Sequence, residues 1–252
     1  MKHIESVKNA RVKQWKKLHK KKEREESGTF LIEGFHLVEE ALKVEGLVEE
    51  IILAEDRSIP AQWNLDYVQL TYAVPEVLKA MSDTETPQGI AAICKIPRSD
   101  EVTIKPSHRI LMLDNVQDPG NVGTMIRTAD AAGLDLIILG EGCADVYSSK
   151  VIRSTQGSLF HLPIIRGNLT EWIKKTKEEG FPVYGTSLQN GVSYHEITPP
   201  PSFALILGNE GKGMAAEHLA QTDQNLFIPI YGQSESLNVG VAAGILMYYL
   251  RG

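Results

Sequence analysis

The sequence predicts an α/β protein with two domains, and three observations carry that prediction. Apolar runs of strand length alternate with segments of helical periodicity along the 252 residues. Several runs, such as "ALIL" at 204–207, are unbroken, which is typical of parallel strands covered on both faces. A polar segment with two prolines, "PRSDEVTIKPSH" at 97–108, interrupts the pattern. We therefore expect a small α/β domain over 1–98, a linker over 99–108 and a larger domain with a parallel sheet over 109–252.

Composition restricts the class of protein. A hydrophobic content of 42% with 23% charged residues matches a soluble globular chain. Cys94 and Cys143 lie far apart, and neither forms a CxxC pair, so we expect no disulfide framework and no metal site. The N-terminus lacks the apolar segment of a secretory signal, and the longest apolar run, 239–250, is too short to span a bilayer. These features predict a cytoplasmic protein without a membrane partner.

Charge is unevenly distributed along the chain. The whole sequence has a formal net charge of −6. Its first 26 residues hold ten lysines and arginines against four glutamates, so a basic arm precedes an acidic body. Binding to phosphates requires only a local basic patch. The charge distribution leaves two interpretations open: an arm that contacts a polyanion, or a solvated charged helix.

The first half is predicted to begin with one long helix, with Ser6 as its N-cap and Gly28 after its end. A thin apolar stripe of Val7, Trp15 and Leu18 marks its inner face. The remaining predictions are strands at Phe30–Ile32, Val48–Ala54, Tyr67–Leu70 and Ile90–Ile96, with helices at Phe35–Lys43 and from Pro75.

The second half alternates more regularly. Strands are predicted at Ile110–Leu113, Leu134–Leu139, Pro182–Thr186, Phe203–Leu207 and Leu226–Ile228. Helices are predicted at about 121–132, 148–154, 169–179, 212–221 and 236–250. Ligands of such sheets bind beyond the carboxyl ends of the strands, so the loops after these strands are the candidate sites.

The first candidate loop reads "LDNVQDPGNVGTMIRTADAAG", residues 113–133. Asn121 can cap the helix that follows. Arg127 falls on the open side of that helix, about 150° from the apolar face. That face is formed by Val122, Met125, Ile126 and Ala129. The glycines do not make GxGxxG, so a dinucleotide site is disfavoured.

The second candidate loop, "LILGNEGKGM" at 205–214, exposes backbone amides through three glycines. Two residues separate Gly208 from Gly211, and Lys212 precedes a glycine, so the spacing of a nucleotide-triphosphate P-loop is absent. The loop is either a backbone cradle for a ligand or a plain β–α turn.

The third candidate loop opens "SESLNVGVAAGILMYYL", residues 234–250. Ser236 and Asn238 stand before a helix whose apolar run suggests burial on all sides. Polar groups at a helix start either cap it or hold a ligand on its free N–H groups. Composition and periodicity leave that choice open.

Taken together, the three loops resemble the sequence motifs of the SpoU/TrmH family of RNA ribose 2′-O-methyltransferases, within the SPOUT superfamily. The first resembles "D-P-x-N-x-G…R-T-A", the second "L-G-x-E-G-x-G" and the third "I-P-…G-…S-L-N-V-…A". The segments "FLIEGFHLVEEAL" and "TETPQGIAAI" resemble the family's L30e-like substrate-binding domain. The resemblance covers nearly the whole chain.

The resemblance implies S-adenosyl-L-methionine as cofactor, a deep trefoil knot around the second and third motifs, and a homodimer that completes the active site. The family's catalytic set corresponds to Asn121, Arg127, Glu210, Ser236 and Asn238. Its cofactor-binding set corresponds to Thr186, Leu207, Gly208, Asn209, Gly213, Ile228 and Leu237. Residues 239–250 would pack under the knot or at the dimer interface. Arg153, in "RSTQGSLFHLPI", would contact RNA or the partner, or form a structural ion pair.

An RNA substrate gives the basic arm a function in phosphate attraction. The residues expected to contact RNA are Arg11, Lys16, Lys17, Lys20, Lys21 and Arg24. The L30e-like domain favours ribosomal RNA, of the large subunit, over tRNA. A non-catalytic RNA-binding factor of the same fold is the rival hypothesis, disfavoured because every motif position is intact.

Overall fold

The computed structural model describes residues 2–97, 102–189 and 191–252. The chain divides into two compact units, one of Met1–Arg98 with Tyr147–Phe160 and one of Ser99–Val146 with His161–Gly252. The expected linker 99–108 lies partly outside the described residues, and its residues 102–108 form neither helix nor strand. Segment 147–160 joins the first unit because Tyr147 stacks on Phe30 with ring centroids 4.6 Å apart.

Twelve strands and nine helices are present in the described part. The strands are β1 Lys2–Ile4, β2 Thr29–Glu33, β3 Val48–Ala54, β4 Gln69–Ala73, β5 Ile90–Lys95, β6 Arg109–Leu113, β7 Leu136–Leu139, β8 Ile164–Arg166, β9 Val183–Thr186, β10 Val192–Ser193, β11 Phe203–Leu207 and β12 Gln224–Phe227. The helices are α1 Ala10–Lys17, α2 Lys21–Ser27, α3 Phe35–Leu42, α4 Pro75–Met81, α5 Pro119–Ala131, α6 Ser149–Thr155, α7 Leu169–Glu178, α8 Ala216–Leu219 and α9 Val239–Arg251.

The first unit contains a mixed five-stranded sheet in the order β1-β4-β3-β5-β2. Strand β4 pairs in parallel with β1 and β3, whereas β5 pairs antiparallel with β3 and β2. The predicted strand at Tyr67–Leu70 is displaced to β4, because Tyr67 turns the chain with a φ of 66°. Strand β1 had no signal in the sequence, since three residues are too few to show alternation.

The single N-terminal helix is a wrong prediction, because the structure has two helices there. Asn9, rather than Ser6, caps α1 by accepting a hydrogen bond from the Arg11 backbone N–H at 2.9 Å. The chain breaks after Lys17 and places Leu18 in the core at 8% exposure. Gly28 ends α2 in the left-handed conformation, as expected.

The second unit contains a seven-stranded sheet in the order β10-β12-β9-β11-β6-β7-β8. Every pairing in it is parallel, which confirms the predicted sheet. Because β12, β9, β11 and β6 are neighbours, the loops after them emerge at one edge. No helix among the described residues is long and apolar enough to cross a membrane.

Three helix starts in this unit differ from their predictions. Helix α5 begins at Pro119 with Asp118 as N-cap, so Asn121 lies inside the first turn. Helix α8 spans four residues, because 208–215 forms a loop. Helix α9 begins at Val239, so Asn238 is its cap and Ser236 precedes it.

Candidate active site

A cleft of about 650 Å³ lies at the carboxyl ends of β9, β11 and β12. Its lining includes all seven residues predicted to bind the cofactor: Thr186, Leu207, Gly208, Asn209, Gly213, Ile228 and Leu237. Glu210 and Ser236 also line it. The sequence missed Leu188 and Gln189, which follow β9 and have no periodic signal.

The loop after β11 is held in one shape by its own backbone. The N–H and C=O groups of Asn209 and Gly213 exchange hydrogen bonds of 3.0 and 2.9 Å. The side-chain oxygen of Asn209 accepts from the N–H groups of Gly211 and Lys212, both at 3.0 Å. Gly208 lies so close to the returning chain that a Cβ there would be 2.2 Å from the Met214 nitrogen. The loop is therefore a preformed cradle.

Glu210 joins the second motif to the first. Its carboxylate accepts hydrogen bonds from the backbone N–H groups of Gln117 and Asp118 at 3.3 and 3.1 Å, and from Asn121 Nδ2 at 3.1 Å. Partial burial acts to raise the pKa of Glu210, but these hydrogen bonds outweigh it and lower the pKa below its usual value. The side chain is therefore an anion at neutral pH.

Asn121 joins the first motif to the third. Its Oδ1 accepts from Asn238 Nδ2 at 3.0 Å, while its Nδ2 donates to Glu210. Asn238 Oδ1 in turn accepts from the N–H groups of Gly240 and Val241 at 2.9 and 3.3 Å, which caps α9. The chain Glu210–Asn121–Asn238 therefore connects all three predicted loops.

Arg127 and Ser236 lie outside this hydrogen-bonded chain. Arg127 is exposed on α5, opposite the buried face that the sequence predicted, and makes no hydrogen bond or ion pair with any described residue. Ser236 is exposed, and its carbonyl accepts from the Ser234 hydroxyl at 2.8 Å. Both side chains remain available to a substrate.

A buried pair that the sequence did not reveal anchors the far end of the cradle. Asp114, at the end of β6, is 6% exposed. Its Oδ2 accepts from the Ala215 N–H at 2.8 Å and lies 2.9 Å from Nδ1 of His218. The residue directly after a buried strand was the only available signal, because its partners follow a hundred residues later.

Replacing Asp114 by alanine should lower the free energy of unfolding by about 1–3 kcal/mol, because the Ala215 N–H and His218 would lose a buried acceptor. Urea denaturation followed by circular dichroism measures the change. Glu141→Ala, at an exposed position, serves as control and should stay within about 0.5 kcal/mol of the unmodified chain. Equal stability of both variants would contradict the anchoring function.

The structure corrects two members of the predicted RNA-binding set. Arg11 Nη2 lies 2.6 Å from both carboxylate oxygens of Glu50, whose side chain is largely buried. Arg24 is 4% exposed and donates to the Leu18 carbonyl. Both arginines stabilise the first unit, because burial leaves them no surface for phosphate. The lysines of the set remain exposed: Lys16, Lys17, Lys20 and Lys21.

The fold and the three connected motifs define a SpoU-type methyltransferase. The model of the SpoU rRNA Methylase family matches residues 108–248, and this chain belongs to that family. A second model, the MRM3-like substrate binding domain, matches residues 9–92.

Individual relatives agree with the family over the full length. The chain is 54% identical to the 23S rRNA (guanosine(2553)-2′-O)-methyltransferase RlmP of Bacillus subtilis, over 100% of both chains. The AdoMet-bound rRNA methyltransferase of Sinorhizobium meliloti superposes with a TM-score of 0.90 at 31% identity, covering 99% of this chain and 97% of that one. AviRb of Streptomyces viridochromogenes, in complex with AdoMet, gives 0.85 at 27% identity, with 97% of each chain covered.

Proposed function

We propose that this protein transfers a methyl group from S-adenosylmethionine to a guanosine ribose 2′-hydroxyl in 23S rRNA. The observation that carries the proposal is the Glu210–Asn121–Asn238 chain, which connects three motif loops beside the cleft. The end-to-end likeness to RlmP supports 23S rRNA as the substrate. tRNA remains the alternative, since more distant relatives carry the name tRNA/rRNA methyltransferase.

The cleft fits the proposed cofactor. Residues 228–238 form neither helix nor strand, so their backbone groups are outside any ladder and can hydrogen-bond to an adenine edge. The apolar side chains of Ile228 and Leu237 provide surfaces for the ring. When bound, the cofactor supplies a methyl group on a sulfonium, which needs positioning more than activation.

The function of Arg127 follows from its chemistry. An arginine pKa above about 12 makes the neutral base scarce at physiological pH. The guanidinium is instead suited to stabilising the charge that develops on the 2′-oxygen, while the proton passes to phosphate or water. Both polar atoms of Asn121 are engaged by Glu210 and Asn238, so we assign Asn121 to positioning of the loops.

We also propose that the protein acts as a homodimer, with α9 contributing to the interface. The helix was expected to be covered on all sides, yet Val241 and Tyr248 are 53% and 56% exposed in the single chain. An exposed apolar face on a central helix is typical of a surface covered by a partner. Sedimentation velocity of the purified protein measures the mass directly. The trefoil knot implied by the family resemblance stays a prediction.

Mapping of 2′-O-methyl sites tests the proposed activity. In a strain lacking this protein, one guanosine of 23S rRNA should lose its methyl group, and expression of the unmodified chain should restore it. Purified rRNA should likewise accept tritium from labelled S-adenosylmethionine, whereas purified tRNA should not. Labelling of tRNA alone would move the assignment to the alternative substrate, and the absence of any labelling would favour a non-catalytic RNA-binding factor.

The exposed lysines of the arm provide a separate prediction about RNA affinity. Replacing Lys16, Lys17, Lys20 and Lys21 together by alanine should weaken rRNA binding and flatten its salt dependence, by a slope of about 0.7–0.9 per lost phosphate contact. Affinity for S-adenosylmethionine should not change. Truncation of the arm is unsuitable, because Val12 and Trp15 are buried in the core.

Filter binding of a 23S rRNA fragment at several KCl concentrations measures both effects. Lys79→Ala with Lys174→Ala, at exposed positions away from the arm, is the control pair and should leave the slope unchanged. An unchanged slope in the arm variant would show that these lysines are only solvated charges.

A further inference from the structure

We propose that a small pocket on the first unit binds one phosphate of the substrate RNA together with part of its nucleotide, and that Arg153 is its principal contact. The proposal deepens the proposed function and rests on it for the identity of the RNA. The pocket has a volume of about 200 Å³, enough for a fragment of one nucleotide and far too small for a duplex.

Three segments that are distant in the sequence build this pocket. Residues around Gly34 at the start of α3, residues 84–88 before β5, and the end of α6 converge on it. All of them belong to the first unit, including segment 147–160. The polar side chains that matter for binding are Glu33, His36, Thr84, Gln88, Arg153 and Gln156.

Arg153 is the cation without a partner in this pocket. Its side chain is partly buried in the last turn of α6, and it makes no hydrogen bond or ion pair with any residue in the described ranges. A partly desolvated guanidinium with five free N–H donors is best satisfied by an oxyanion, which it binds through two parallel hydrogen bonds. The expectation of a structural ion pair for Arg153 is therefore not met among these residues.

Neighbouring side chains are fixed by hydrogen bonds that leave further donors for a ligand. Gln88 Oε1 accepts from the Phe35 N–H at 3.0 Å, which leaves its Nε2 hydrogens unused by the described residues. His36 Nε2 donates to the Gln156 carbonyl at 3.0 Å, which holds the imidazole at the rim. Gln156 Nε2 donates to the Arg153 carbonyl at 2.8 Å. The pocket is thus preformed, and its free groups are donors.

Glu33 is the one carboxylate in the lining and would oppose a phosphate. Its two oxygens are already engaged, by the Asp83 N–H at 3.1 Å and by the Ser82 hydroxyl. These hydrogen bonds fix Glu33 toward the 82–84 turn and offset part of its charge. The unpaired Arg153 therefore determines which ligand is attracted.

The chemistry of RNA matches this arrangement. Proteins recognise single-stranded nucleotides in loops and bulges, where a phosphate and its base are accessible together. The model of a substrate binding domain covers 9–92, which includes two of the three segments that form the pocket. Arg153 adds to them a contact from a distant part of the sequence.

The test compares three variants of the full chain for binding to a 23S rRNA fragment at several KCl concentrations. Arg153→Ala should weaken binding about tenfold and reduce the magnitude of the log–log salt slope by about 0.7–0.9, the value for one phosphate. Arg153→Lys should retain the slope, because it retains the charge. Arg57→Ala, which removes an exposed arginine elsewhere on the same unit, should change neither quantity.

Two controls keep the result interpretable. S-adenosylmethionine affinity and the thermal midpoint should be the same for Arg153→Ala and the unmodified chain, because the cleft lies in the other unit. Weaker RNA binding with an unchanged salt slope would overturn the phosphate assignment, and so would unchanged binding. If the unmodified chain binds the fragment but does not methylate it, the proposed function fails while the pocket is still tested by the slope.

Discussion

Replacing Arg127 by alanine is expected to reduce kcat for methyl transfer by about 10²–10³-fold, the cost of removing one donor to a developing oxyanion. Single-turnover transfer of tritium to 23S rRNA measures the rate. Affinity for S-adenosylmethionine should stay within about twofold, because Arg127 does not line the cofactor cleft. Arg127→Lys should recover part of the rate, since it restores a positive charge without the planar fork.

Arg251→Ala is the matched control, because Arg251 is another exposed arginine of the same unit. It should leave kcat unchanged. Near-normal methylation by Arg127→Ala, in vitro or in the deletion strain, would remove Arg127 from the catalytic mechanism. A loss of cofactor affinity equal to the loss of rate would instead indicate a structural function for this arginine.

The second large effect is expected at Gly208, where alanine should reduce S-adenosylmethionine affinity by more than about 100-fold. Its added Cβ would lie 2.2 Å from the Met214 nitrogen and 2.3 Å from the Gly213 carbonyl carbon. These are backbone atoms, so the cradle itself would have to move. Isothermal titration calorimetry measures the affinity.

Gly211 in the same loop provides the control. A Cβ there would meet only the Asn209 side-chain oxygen, at 3.8 Å, and its φ is not positive. Gly211→Ala should therefore bind the cofactor about as well as the unmodified chain. Equal losses in the two variants would mean that general flexibility of the loop, and not the close approach at Gly208, determines binding.

The pattern of the sequence predicted the second unit more accurately than the first. Strand β11 and the buried face of α5 were predicted correctly, because long apolar runs and 3.6-residue periodicity are strong local signals. The N-terminal region failed, because the chain turns at Leu18 to bury it, and lysine-rich periodicity continues through that turn. Tertiary burial thus overrode local propensity.

The candidate site was predictable to a different degree. Motif resemblance indicated the residues, and the cleft contains all seven assigned to the cofactor. Their connections were not predictable, because Glu210 and Asn121 are 89 residues apart and Asn238 is 117 from Asn121. The Asp114–His218 pair was missed for the same reason.

By itself, the sequence determined the alternation of strands and helices, the parallel sheet and the motif residues that it brings to one edge. Hydrophobic periodicity and glycine spacing are local properties, so they can be recognised without a fold. Only the tertiary structure decided which polar groups are engaged and which are free. It uses Arg11, Arg24 and Asn121 in internal contacts and leaves Arg127 and Arg153 unpaired within the described residues. The physical reason is that a side chain's availability depends on partners supplied by distant segments, and those partners meet only when the chain folds.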